Sequence, residues 1–85
     1  MTNTIIWSKD NCPYCRMAKD MLDRSGIDYE ERKIGNGWAK EQLLAELPDV
    51  KTVPQIFLYG EYVGNFNDLQ RYYEEHNMYS GNERI

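Results

Sequence analysis

The order of apolar and polar positions divides the chain into alternating strand-like and helix-like segments. Thr4-Ile5-Ile6-Trp7-Ser8 is dense in β-branched and aromatic residues, which pack well on a pleated surface, and predicts a first strand. Lys9-Asp10-Asn11 reads as a turn, and the period then changes. From Pro13 onward Met17, Met21 and Leu22 fall on one helical stripe, with Arg16, Lys19, Asp20 and Asp23 off it. Pro13 suits a first helical turn, where its missing amide hydrogen costs nothing, and Gly26 suits the left-handed position just past the end. Asp28 to Ile34 is polar enough to predict an edge or half-exposed strand. Gly35-Asn36-Gly37 breaks the chain before a second helix over Trp38 to Leu47, with Leu43, Leu44 and Leu47 on one stripe and Pro48 as the stop. Gln55 to Leu58 predicts a third strand, joined through Tyr59-Gly60-Glu61 to a fourth at Tyr62-Val63. Gly64-Asn65-Phe66-Asn67 turns the chain, and a last helix from about Asp68 carries Leu69, Tyr72 and Tyr73 for packing. Residues 79–85 have no periodicity and predict a flexible tail behind a folded domain over residues 1–78.

At 85 residues there is room for one small domain and little buried surface to stabilise it. That excludes a second domain and most folds that enclose a cofactor. Ten basic against fourteen acidic side chains give a net charge of −4, which disfavours nucleic acid as a partner because affinity for phosphates comes largely from cations. No apolar run approaches the ~18 residues of a membrane helix, so no membrane partner is expected. The first ten residues show no basic patch followed by an apolar stretch, so no secretory leader is expected either.

Both cysteines, Cys12 and Cys15, lie in one window, Cys12-Pro13-Tyr14-Cys15. A disulfide across so short a loop removes little unfolded-chain entropy and is poorly placed as a structural clamp. The spacing therefore points to metal ligation or to reversible oxidation. A tetrahedral zinc site needs two further ligands, and the chain has no third cysteine and a single histidine, His76. A cluster shared between two chains remains the metal rival, and Pro13 in the turn disfavours it. Cys12 falls where a strand ends and a helix begins, so unpaired amide hydrogens and a partial positive charge favour a thiolate there, and Lys9 adds a cation nearby. Cys15, one turn further in, lacks that benefit. Cys12 is thus expected as the nucleophile and Cys15 as the resolving thiol. The element order, with a C-x-x-C at the first strand–helix junction, predicts an α/β thioredoxin-like fold: a four-stranded mixed sheet with about three helices on its two faces. Within it Thr52-Val53-Pro54 suggests a cis-proline loop beside the thiols, the Val53 amide and carbonyl turned outward toward an extended peptide.

Taken in order, Trp7 to Cys15, then Thr52-Val53-Pro54-Gln55-Ile56-Phe57, then Val63 to Leu69 resemble a dithiol glutaredoxin over nearly the whole chain. The resemblance implies a glutathione-dependent thiol–disulfide oxidoreductase with no bound cofactor or metal and with glutathione as co-substrate. It implies glutathione contacts at Lys9, Tyr14, Thr52, Val53, Pro54, Gly64, Asn67 and Asp68. Two regions depart from the family pattern. Asn65 and Asn67 stand in the glycine–aspartate turn, which leaves the α-amino contact open between Asn67 and Asp68, the latter also a helix N-cap candidate. In the second helix the contact to a glutathione carboxylate lies open among Glu41, Gln42 and Lys40. The implied partners are glutathione and oxidised or glutathionylated proteins, ribonucleotide reductase among the candidates, met by a monomer in the reducing cytoplasm. Recharging by a thioredoxin reductase, or an iron–sulfur carrier role, are the alternatives. His76 reads as a solvated helix residue, Trp7 and Trp38 as packing anchors, and Arg16 as a solvent-facing residue close to the thiols.

Overall fold

A computed structural model describes residues 2–76 of the chain; the expected tail, and the last residues of the expected domain, lie outside them. The element order is β1 (Ile5–Lys9), α1 (Pro13–Arg24), β2 (Glu30–Ile34), α2 (Lys40–Glu46), β3 (Gln55–Leu58), β4 (Glu61–Gly64) and α3 (Phe66–Glu75). The strands form one sheet in the order β2-β1-β3-β4, with β1 parallel to β2 and antiparallel to β3, and β3 antiparallel to β4. The mixed sheet with three helices is the expected architecture, and the polar strand β2 is an edge, as its composition predicts.

Side chains alternate across the sheet, so Ile6, Ile56 and Leu58 face α1 and α3. They close a core with Ala18, Leu22, Leu69 and Tyr73, in which burying each large aliphatic chain contributes about 1.5–3 kcal/mol. Tyr73 brings a hydroxyl into this core, where its oxygen accepts from Ser25 Oγ at 2.8 Å. The other face carries Trp7, edge-on to Trp38 at 5.4 Å, with the Arg32 guanidinium 4.5 Å from the Trp38 ring centroid. Both tryptophans are packing residues, as expected. At the β3–β4 turn Tyr59 and Gly60 both adopt positive φ, 50° and 88°, the two-residue turn whose twist matches paired strands.

Four expectations shift. The buried stripe of α1 is Cys15, Ala18 and Leu22; Met17 is 45% exposed, because this register turns the two small residues toward the sheet. Lys9 ends β1 instead of opening the turn. Trp38 lies outside α2 and makes a β-bridge to Ile34, with Ala39 extended (φ −114°, ψ 154°) before the helix starts. Helix α3 begins at Phe66, two residues earlier than expected, because Asn65 caps it: Asn65 Oδ1 accepts from the Asp68 N–H at 2.9 Å. Asp68 is therefore not the cap. It is the reciprocal partner, its Oδ2 accepting from the Asn65 N–H at 3.0 Å. None of the helices among the described residues is long and apolar enough to cross a membrane.

Candidate active site

The β1–α1 junction sets the chemistry. Asn11 takes positive φ (56°), a conformation asparagine tolerates, and Cys12 follows in extended backbone as the N-cap of α1. Its Sγ accepts from the Cys15 N–H at 3.2 Å, while its carbonyl accepts from the Arg16 N–H at 3.1 Å. A sulfur in the N-cap position thus meets an amide that would otherwise point at solvent, at the positive end of a twelve-residue helix. Cys15 lies one turn in, 1% exposed, and the two cysteines are joined as a disulfide with Cα atoms 5.2 Å apart. Cys12 is the more exposed of the two.

The Val53–Pro54 bond is cis, as expected. The Val53 carbonyl lies 3.8 Å from Cys12 Sγ. A disulfide sulfur has no hydrogen to donate, so in this state the approach is a packing contact. Once Cys12 is reduced and protonated, the same oxygen can accept from its thiol. The Val53 N–H meets no acceptor among the described residues and stays available to an extended ligand.

Three grooves lie around this junction, one lined by Cys12 and two by Val53, whose carbonyl faces the Cys12 sulfur. The first, about 260 Å³, lies between Tyr14, Thr52, Val53, Pro54, Phe66 and Asn67. Tyr14 is 58% exposed and tilts on Phe66 at 5.8 Å, so its ring stands upright as a wall. Gly64 and Asp68 flank its lining residues Asn65 to Asn67 in sequence. Gly64 adopts φ +123°, and a Cβ there would collide with the Asp68 carboxylate. That carboxylate holds the Asn65 N–H and pairs with Arg71 at 3.4 Å. Burial, and then the Asp68 charge, raise the Tyr62 phenol above its ordinary value. The second groove, about 460 Å³, has apolar walls that include Leu43 and Val50, and Lys9, Lys40 and Lys51 around it; Thr52 and Val53 separate it from the first. Of the three residues left open in α2, Lys40 lines it, whereas Gln42 turns back to accept the Ala39 N–H at 2.7 Å. Lys51 was not read from the sequence; its only signal is its place next to Thr52. The third groove, about 480 Å³, runs along α1 between Asn11, Cys12, Pro13, Arg16 and Met17.

A matching family model, described as Glutaredoxin, covers residues 4–63. The chain belongs to the glutaredoxin family. It is 36% identical over 69 residues to Glutaredoxin 3 of Escherichia coli K12, spanning 81% of this chain and 83% of that one. Among solved structures it is similar to glutaredoxin 1 of Francisella tularensis complexed with cacodylate (TM-score 0.74, 26% identity, 87% and 94% of the two chains). It shares its fold with a buckwheat glutaredoxin–glutathione complex (TM-score 0.74, 23% identity, 89% and 72%). As a glutaredoxin it is a thiol–disulfide oxidoreductase with the dithiol Cys12 and Cys15.

His76 sits at the C-cap of α3, its Nδ1 2.9 Å from the Tyr72 carbonyl, in keeping with an exposed helix-end residue. Among the described residues no group of three or more His, Cys, Asp or Glu side chains could hold a metal ion. A polar group joining β1, β2 and α1 went unread in the sequence. Ser8, buried in β1, donates to Glu31 Oε2 at 2.6 Å, and Lys19 reaches the same oxygen at 2.9 Å from α1. Burial raises the Glu31 carboxyl, but the Ser8 hydroxyl and the Lys19 ammonium together outweigh it and lower the acid below its ordinary value.

Proposed function

We propose that this glutaredoxin reduces glutathione mixed disulfides and protein disulfides with glutathione as co-substrate. The observation that carries the reading is the sulfur of Cys12 at the α1 N-cap, beside two grooves that meet at Thr52 and Val53. Glutathione is extended, anionic at its glycine end and zwitterionic at its γ-glutamyl end. Lys9, Lys40 and Lys51 suit the glycine carboxylate. Val53 N–H suits a strand-like pairing with the cysteinyl residue, and Thr52, Pro54 and Tyr14 form the walls around it. At the other end Asn67 lines the groove, with Gly64 and Asp68 flanking the Asn65 to Asn67 segment and close to each other, and this suits the charged γ-glutamyl group. The buckwheat protein of the same fold is a glutathione complex.

On a glutathionylated target the Cys12 thiolate attacks the glutathione sulfur, and the target sulfur leaves as thiolate and takes up a proton. Cys12 then carries glutathione. A second glutathione thiolate attacks that glutathione sulfur, releasing glutathione disulfide and restoring the Cys12 thiolate. On a protein disulfide Cys12 forms the mixed disulfide with the target. Cys15 then attacks Cys12 Sγ, expels the target's second thiol and leaves the Cys12–Cys15 bond, which two glutathiones reduce. Each exchange is governed by thiolate fraction and leaving-group acidity. A reducing compartment such as the cytoplasm would supply the glutathione.

The test is turnover of a small glutathione mixed disulfide with glutathione, coupled to glutathione reductase. Cys12→Ser abolishes it, and Cys15→Ser retains it, because the first route never uses Cys15. Loss in both variants, turnover only with thioredoxin reductase, or a brown inactive dimer after aerobic purification overturns the reading.

A further inference from the structure

The cations of this net-negative chain are divided by place. Lys19, Arg32, Lys33 and Arg71 each hold a carboxylate within 3.4 Å. Lys9, Arg16, Arg24, Lys40 and Lys51 hold none among the described residues. Apart from Arg24, in the last turn of α1, every unpaired cation among the described residues lines the groove at Thr52 and Val53 or the groove at Cys12. The three lysines stand where the glycine carboxylate of glutathione is proposed. Arg16 does not: it lies in the groove along α1, on which no glutathione contact has been drawn.

The same groove is apolar where soluble surfaces usually are not. Met17 is 45% exposed beside it, Pro13 forms its rim, and Tyr14 is 58% exposed on the adjoining turn. An unbranched, polarisable methionine next to a reactive cysteine provides contact area that adapts to different side chains. Arg16 follows Cys12 by four residues, about 6 Å along the helix axis. An extended chain advances about 3.3 Å per residue, so a side chain two positions from a bound target cysteine comes level with Arg16.

We propose that the α1 groove receives the polypeptide side of the target disulfide, and that it selects an extended segment with an acidic residue two positions from the attacked cysteine, paired with Arg16. The inference rests on the oxidoreductase reading, with Cys12 as nucleophile, and adds the class of protein segment it acts on. No new chemical step is required. The Cys12 thiolate forms the mixed disulfide with the peptide and frees its second thiol; Cys15 then displaces the peptide as the dithiol, and the protein is left oxidised.

The experiment uses protein reduced with dithiothreitol and desalted, without glutathione, so it does not depend on the glutathione grooves. Three synthetic peptides share one intramolecular disulfide and differ only two positions from each cysteine, carrying Glu, Ser or Lys. Release of peptide dithiol is followed in single turnover at low ionic strength. The Glu peptide is expected to react roughly tenfold faster than the Lys peptide. At about 0.5 M salt, where the screening length falls below 5 Å, the ratio should approach one. Arg16→Glu is expected to reverse the order and Arg16→Lys to keep it. The ratio is read within one variant, so a change in Cys12 reactivity cancels. Equal rates on the three peptides, with turnover that needs Cys12, overturn this inference and leave the oxidoreductase reading standing. A preference that survives Arg16→Glu belongs to the lysines and overturns it too. No turnover on any peptide, or turnover that persists in Cys12→Ser, overturns both.

Discussion

Glu31 shows how much one buried contact governs at the residue scale. A carboxylate half-withdrawn from water in an edge strand is unfavourable alone, and here one of its oxygens takes both the Ser8 hydroxyl and the Lys19 ammonium. The folded state lowers its pKa, so it favours the ionised form. Stability from this group is therefore present above the unfolded carboxyl value near 4.5 and is lost as pH falls through the lower folded value. Glu31→Gln is expected to cost about 1 kcal/mol at pH 7 and much less at pH 3, measured by urea unfolding at both values. An equal cost at both would show that the group acts by shape and not by charge. Nothing in the alternation of Glu30-Glu31-Arg32-Lys33 tells which carboxylate turns inward; that depends on the register of β2 against β1, which pairs Ile6 with Glu31.

At the scale of the element, helix ends decide most of the site. Strand β3 is read from the sequence residue for residue, since Gln55 to Leu58 is bounded by Pro54 on one side and Tyr59-Gly60 on the other. The start of α1 is equally plain at Pro13. The start of α3 is less so, because its cap is an asparagine followed directly by an apolar residue and closed by aspartate in place of the commoner glutamate. Asn65→Ala removes an accepted hydrogen bond from that cap and is expected to cost about 1 kcal/mol, seen as a fall in Tm of roughly 4–8 °C for a domain of this size. No change in Tm would mean that Asp68 alone holds the helix end. The face of α1 is hard to read for a different reason. The stripes Met17-Met21-Leu22 and Cys15-Ala18-Leu22 overlap at Leu22, and side-chain size favours Met17, which the fold leaves outside.

In the whole molecule, the sheet and its two-sided cover serve to bring three distant segments to one sulfur. The end of β1, the first turn of α1 and the loop before β3 meet at Cys12, which lies forty-one residues from Val53 in sequence. The identity of these segments was legible because the Cys12-Pro13-Tyr14-Cys15 and Thr52-Val53-Pro54 motifs occur in the right element order. The lysines around the second groove were only partly legible, because α2 and the loop after it meet Lys9 through tertiary packing and no local period connects them. The account depends above all on Cys12 being a thiolate near neutral pH. Its direct test is the pH dependence of iodoacetamide alkylation in reduced Cys15→Ser protein, where Cys12 is the one remaining thiol. Capped by the N-terminus of α1, this sulfur is predicted to titrate at least one unit below the ~8.5 of free cysteine. A midpoint at or above ~8.5 would contradict the account.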